Sequence, residues 1–253
     1  MILLYGFNNK MSRLKVVTLV FFVMATANCT GPSKTAAISA EPVKTLLVGG
    51  GSSHDFDRWY KQEDVQTLTS DGTAAVTYTS NTDSILHYLP GMDVLFLSNN
   101  QPIKNPAVRQ AIMDFVNSGK GLILAHAALW YNWRDWPEYN RQLASGGSRG
   151  HDKYGQFNVK VIQQNHPIMT GVPETFLLKD ELYYFKTDSS ASGINVLAEA
   201  YAGENSVRYP SVFTVNHPKA RIVGIALGHD AESHSFAPYQ KILSNAIRYA
   251  AGR

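Results

Sequence analysis

The sequence predicts an α/β protein built on a doubly wound, mainly parallel sheet, with antiparallel strands added in its second half. Three observations carry this expectation. Between residues 43 and 144, short apolar runs alternate with amphipathic segments across short connections, as strand-helix-strand units do. Those runs, Leu122-Ile-Leu-Ala125 among them, are continuously apolar, as strands covered on both faces are. Beyond residue 150 short strand-like runs follow one another until a closing helix.

In chain order, Lys44 to Gly50 reads as a buried first strand running into glycines, and 55–68 as a helix. Residues 74–79 are β-branched and aromatic, a second strand; 83–88 is a short helix; 93–97 is a third buried strand. The clearest helix follows. Asn105 caps it, Pro106 suits its first turn, and Val108, Ile112, Phe115 and Val116 share one face. Ser118-Gly119 ends it, Leu122 to Ala125 is the fourth strand, and 135–144 is a helix. The second half offers strands at 157–163, 182–185, 195–201, 211–215 and 222–225. Residues 236–251 close the chain as an amphipathic helix with Tyr239, Ile242, Leu243, Ala246 and Ile247 inward.

The N-terminus has a different character. A basic start at Arg13 and Lys15, an apolar stretch from Val16 to Ala25 and small residues before Cys29 describe a signal peptide over 1–29. The apolar stretch is short for a bilayer span of about 20 residues. Cys29, the one cysteine, stands where a bacterial lipoprotein carries its lipid, although Asn28 departs from the usual small residue before it. Residues 30–42 are rich in Ser, Thr, Ala and Pro and read as a flexible tether. Residues 43–253 then form the folded domain. The expectation is a protein of the bacterial cell envelope, periplasmic or at the outer surface, held to the membrane through Cys29, with a cleaved soluble signal or an uncleaved anchor as the alternatives.

Lys10, Arg13 and Lys15 account for the net charge of +3, so the chain beyond Cys29 is balanced. Nothing in that balance recommends nucleic acid as a partner. With a single cysteine at position 29, the domain has neither disulfides nor a thiolate nucleophile.

Candidate site residues follow from the fold class, because ligands in open α/β sheets bind beyond the carboxyl ends of the strands. His126 ends the fourth strand, a place for a polar or metal-binding group or for a hydrogen-bonded core histidine. His54 follows the glycine-rich loop after the first strand, and His229 follows the strand at 222–225. Gly146 to His151 is a glycine-rich loop carrying Arg149, suited to a carboxylate or sugar hydroxyls, and His151; it is either a wall of the crevice or a solvent-exposed loop. Asp180 and Glu181 stand before a strand as general base, metal ligand or solvated charges. Trp130, Tyr131, Trp133 and Trp136 crowd the segment after His126 and either pack an insertion or form a platform for a sugar ring.

Taken in order, "GKGLILAHAA", "WPEY" before "L-x-x-GG", "HPIMTGVP", "KDELYYF" and "ALGHD" resemble the ThuA-like (trehalose utilisation) family. The resemblance covers about Val43 to Gly252. It implies a flavodoxin-like core similar to class I glutamine amidotransferases, with His126 near the position of their cysteine nucleophile. Glutamine hydrolysis is therefore not expected; Ser98 and Ser145 are hydroxyls outside any Gly-x-Ser-x-Gly elbow. The family also implies a link to disaccharide uptake or breakdown by way of 3-keto sugars made by partner dehydrogenases. His54, His126, His151, Glu181 and His229 carry over as crevice residues.

The expectation is a sugar- or keto-sugar-processing enzyme (hydrolase, lyase or isomerase). His126, Glu181, His151 and His229 are its catalytic residues; His54, Arg149, Asp180, Trp130 and Trp136 are its substrate contacts. His126, His151 and His229 are also the ligands of a possible divalent metal such as zinc. The alternative is a non-catalytic carbohydrate-binding lipoprotein.

Overall fold

The computed structural model describes residues 41–130 and 135–253. The signal segment, Cys29, the tether up to residue 40, Tyr131 and Trp133 lie outside the described residues. Strands run β1 Val43–Val48, β2 Ala74–Thr79, β3 Val94–Leu97, β4 Gly121–Ala125, β5 Gly146–His151, β6 Gly155–Val161, β7 Thr175–Asp180, β8 Tyr183–Thr187, β9 Ile194–Tyr201, β10 Tyr209–Val215 and β11 Ile222–Ile225. Nine of them form one sheet in the order β2-β1-β3-β4-β11-β10-β9-β6-β7. Neighbours from β2 to β11 pair parallel, and those from β11 to β7 pair antiparallel. The parallel part has the 2-1-3-4-5 order of flavodoxin-type sheets, and the antiparallel part is the second-half addition that the sequence predicts.

Alternation along each strand divides the core into two layers. In β4, Ile123 and Ala125 join the layer that includes Tyr239, Ile242 and Ile247. Leu122 and Leu124 join the opposite layer with Val108, Ile112 and Val116. Both faces of the parallel strands are thus covered, which explains why β4 is apolar at every position. The helix Pro106–Asn117 starts as its sequence dictates, with the Asn105 side chain accepting the Ala107 N–H at 3.0 Å. The closing helix, Ala237–Ala250, buries all five residues assigned to its inner face.

Three expectations need correction. The helix expected over 55–68 is broken into α1 Phe56–Arg58, a π-helical stretch Trp59–Asp64 and α2 Val65–Ser70. The wide turn serves a packing purpose: Tyr60 and Asp64 are both fully buried, with their polar atoms against the β11 side of the sheet. The helix expected over 135–144 is likewise a π-helical stretch, Tyr139–Leu143. The glycine-rich segment read as a loop is strand β5, paired antiparallel with β8. Glycine gave no strand signal there, but it allows the close approach: a Cβ on Gly146 would lie 2.2 Å from the Lys186 carbonyl oxygen.

No helix of the described residues is long and apolar enough to cross a membrane.

Candidate functional site

Carboxyl ends of the parallel strands converge on one cleft of about 210 Å³. Loop 49–55 after β1 brings Ser53 and His54, the segment after β3 brings Asn100, the end of β4 leads to Trp130, and the loop after β11 brings His229. From the other direction, the β7–β8 turn supplies Glu181 and Tyr183, and β5 supplies His151.

His126 is the pivot. It has φ +42°, the left-handed region that few side chains with a Cβ adopt, and it makes a sharp turn from β4 into the 3-10 helix His126–Leu129. Such a residue costs of order 1–3 kcal/mol unless its surroundings fix it. They do so here: the ring is fully buried, stacks on Tyr183 at 4.2 Å between centroids, and has Nδ1 2.8 Å from the Ala226 carbonyl oxygen. A nitrogen facing a carbonyl carries the proton, so in the neutral ring the lone pair is on Nε2. That Nε2 is buried with no hydrogen-bond partner and lies 3.7 Å from Glu181 Oε2.

Around it, His229 Nδ1 is 3.2 Å from Glu181 Oε2 and 3.0 Å from His54 Nε2. One ligand atom from each of His54, His126, Glu181 and His229 fits within 4.8 Å of the others. Burial, reinforced by the neighbouring His126 and His229, lowers the His54 pKa to about 3, so this ring is neutral at ordinary pH. Burial works to raise Glu181, but the flanking His126 and His229 rings outweigh it and hold the carboxyl well below the usual range. The hydrogen bond to Glu181 in turn lifts His229 above the ordinary histidine value, against burial.

Two neutral-capable imidazoles, a third with a buried lone pair and an ionised carboxylate suit a borderline divalent cation such as zinc. Donation of the other ring N–H to a backbone carbonyl, as His126 does, is the usual support of a metal-ligating histidine.

The assignment of ligands differs from the sequence expectation. His151, expected among the metal-binding histidines, sits at the rim with 36% of its side chain exposed. Its Nδ1 is 2.7 Å from the Asp152 carbonyl and 3.5 Å from Glu181 Oε1. His54, expected as a substrate contact, takes its place in the group, and Glu181 joins it. Trp130 lines the cleft beside His151, with centroids 5.7 Å apart. Arg149 is exposed on β5 and does not line the cleft. Trp136 is 4% exposed in the core, against Tyr139, with the Arg109 guanidinium over its ring, so it offers no face to a sugar in the cleft.

Asp180 also differs from its expected role. Fully buried, it accepts the N–H of Gly228 at 2.8 Å, of His229 at 3.3 Å and of Glu181 at 2.6 Å, and the Ser233 hydroxyl at 2.5 Å. It anchors the loop that carries His229 and has no path to a ligand.

A second buried support was not visible in the sequence. His234 Nδ1 is 2.6 Å from Asp64 Oδ1, and its Nε2 is 3.1 Å from the Gly228 carbonyl oxygen, which also accepts the Tyr60 hydroxyl at 2.7 Å. Both ring nitrogens face oxygens, an arrangement that favours the charged ring. Burial opposes that charge, but the Asp64 carboxylate outweighs it and raises the His234 pKa. Burial pushes Asp64 up as well, and its second oxygen receives the Tyr239 hydroxyl at 3.2 Å. The Gly228–His229 backbone is therefore held from both sides.

Ser53, Asn100 and Tyr183 are further cleft residues that sequence reasoning passed over. Ser98-Asn99-Asn100 directly follows a buried strand, the same signal that marked His126.

The fold agrees with the comparisons. Among solved structures, a ThuA-like protein from Parabacteroides merdae is similar at 22% identity and TM-score 0.73, over 83% of this chain and 90% of that one. A ThuA-like protein from Bacteroides uniformis is similar at 18% identity and TM-score 0.70, over 85% and 94%. Alpha-L-fucosidase isoenzyme 2 from Paenibacillus thiaminolyticus shares the fold at 12% identity and TM-score 0.58, over 84% of this chain but 33% of that one. Comparison with curated proteins gives no match. The family model for trehalose utilisation, ThuA, matches residues 44–250. That match spans every cleft residue and all of the sheet but its first residue, and the chain belongs to the ThuA family, with the carbohydrate-related role that this family carries.

Proposed function

We propose that this chain is an enzyme that processes a keto-sugar derived from a disaccharide, with a divalent cation held by His54, His126, Glu181 and His229. The buried, partnerless Nε2 of His126 beside an ionised Glu181 is the observation that carries the reading. A divalent cation there would serve as a Lewis acid toward a carbonyl or hydroxyl oxygen.

The side chains have separable tasks. The low pKa of His54 keeps its lone pair available. Glu181 balances positive charge and orients His126 and His229. His151, at the rim and outside the ligand group, has one nitrogen on the Asp152 carbonyl and is placed to carry a proton between the cleft and solvent. Trp130 offers an aromatic wall to the C–H face of a sugar ring. The Asn100 side chain, which donates to Ser53 Oγ at 2.6 Å, orders the loop that carries His54.

Support for an envelope location is the run from Arg13 to Cys29, which we read as a lipoprotein signal. A carbohydrate-binding role without turnover is the competing reading, favoured by the aromatic wall at Trp130. One experiment separates the two. Wild type and the Glu181→Gln/His126→Ala double variant are given 3-keto-disaccharides, with turnover followed by chromatography and binding by calorimetry. The enzyme reading expects turnover in the wild type that the double variant loses. Binding with no turnover in the wild type overturns it in favour of capture.

A further inference from the structure

Beside the cleft, across His54, lies a second concavity of about 380 Å³. His54 lines both, so one imidazole is the wall between them. Its other boundaries are the ends of β1, β2 and β3, through Gly50, Gly51, Tyr78 and Gln101, and the start of α1, through Asp55 and Asp57. This is the switch point of the sheet, where the chain leaves β1 for β2 on one side and returns to β3 on the other.

We infer that this groove is a second sugar-ring subsite, so that the ligand is a neutral glycoside of at least two rings whose distal ring carries no phosphate. The inference rests on the sugar-processing reading above and names its substrate class. Size is the first argument. The catalytic cleft, at about 210 Å³, is below the roughly 300–1,000 Å³ of sites that enclose small organic ligands; cleft and groove together fall inside that range.

Chemistry is the second argument. Tyr78 supplies a half-buried aromatic ring, fixed by its hydroxyl on Asp57 Oδ1 at 3.3 Å. The exposed Asp55 and Asp57 carboxylates are acceptors suited to sugar hydroxyls. Lys61, the cation nearest Tyr78, is paired with Asp57 at 3.8 Å, while Arg58 lies over Trp59. Two carboxylates against one lysine leave the groove negative, which disfavours a phosphorylated ring. The groove is also built rather than accidental. Gly51 has φ +131°, and a Cβ there would lie 1.6 Å from Asn100 Oδ1, so glycine alone lets the loops after β1 and β3 meet and leave the space beside them open.

Calorimetric titration with 3-ketotrehalose, 3-ketoglucose and trehalose 6-phosphate tests this on wild type, Tyr78→Ala, Tyr78→Phe and Asp55→Asn. Asn keeps the helix cap that Asp55 makes to the Arg58 N–H at 3.1 Å while removing its charge. The wild type is expected to prefer the two-ring ligand. Tyr78→Ala should reduce that preference about tenfold, and Tyr78→Phe, which keeps the ring, should retain most of it. Asp55→Asn should admit the 6-phosphate more readily than wild type does. Equal affinity for one-ring and two-ring ligands, or a preference that survives Tyr78→Ala, overturns the subsite and leaves the cleft reading standing. A wild type that binds no saccharide overturns both.

Discussion

Asp180 and His229 are joined by a hydrogen bond, the His229 N–H donating to the fully buried Asp180 at Oδ1, 3.3 Å away. The same carboxylate holds Gly228 and Ser233, so one side chain at the end of β7 fixes the loop after β11. Adjacent residues therefore divide the work: Asp180 holds the loop, and Glu181 enters the cleft.

Asp180→Ala should be among the most damaging single changes outside the ligand group. It leaves three backbone N–H groups and a hydroxyl without their acceptor at a largely buried site, at a cost of about 3 kcal/mol. Chemical denaturation should show a lower midpoint with an unchanged slope. Glu181→Gln, one residue on, should leave stability within about 1 kcal/mol of wild type while abolishing function.

His126→Asn tests the strained turn. Asn tolerates the left-handed region better than most residues. The variant should fold with stability within about 1.5 kcal/mol of wild type. It should also lose the stabilisation of about 2.7 kcal/mol that a ligand at a hundredfold excess over Kd confers. Thermal shift with and without zinc reads both effects.

The Asp64–His234 pair predicts a pH dependence. Its histidine pKa is raised in the fold. The stability it contributes is full below the unfolded value of about 6.5 and is lost as pH rises through the higher folded value. Melting temperature should therefore decline above pH 6.5. Asp64→Asn should flatten that decline while lowering stability by about 3 kcal/mol at pH 6, because it leaves a buried histidine without its counter-charge.

Trp130→Ala should weaken sugar binding about tenfold with metal content unchanged, since Trp130 lines the cleft but supplies no ligand atom. Equilibrium binding alongside metal analysis separates the two effects.

Much of this was legible from local pattern. The parallel strands were visible because burial on both faces makes them apolar throughout, and His54, His126 and His229 because each follows such a strand. Strand β5 was hidden because three of its residues are glycines, which carry no strand pattern; Gly146 and Gly150 approach β8 closely. Asp180 and Glu181 looked equivalent, since nothing local tells which of two adjacent carboxylates turns inward. Asp64 and His234 lie 170 residues apart, and only the π-helical turn and the fold bring them together. Trp136 and Trp130 differ in the same way, one in the core and one at the cleft.

The central claim is the cation site, and metal content tests it most directly. Untagged protein, purified without chelators and measured by plasma mass spectrometry, should carry close to one equivalent of a divalent metal or take one up on addition of Zn²⁺ or Mn²⁺. His126→Asn and Glu181→Gln should each reduce that by at least about tenfold, in keeping with the loss of a ligand or its support. Less than about a tenth of an equivalent in the wild type, with no uptake of either added metal, would contradict the account.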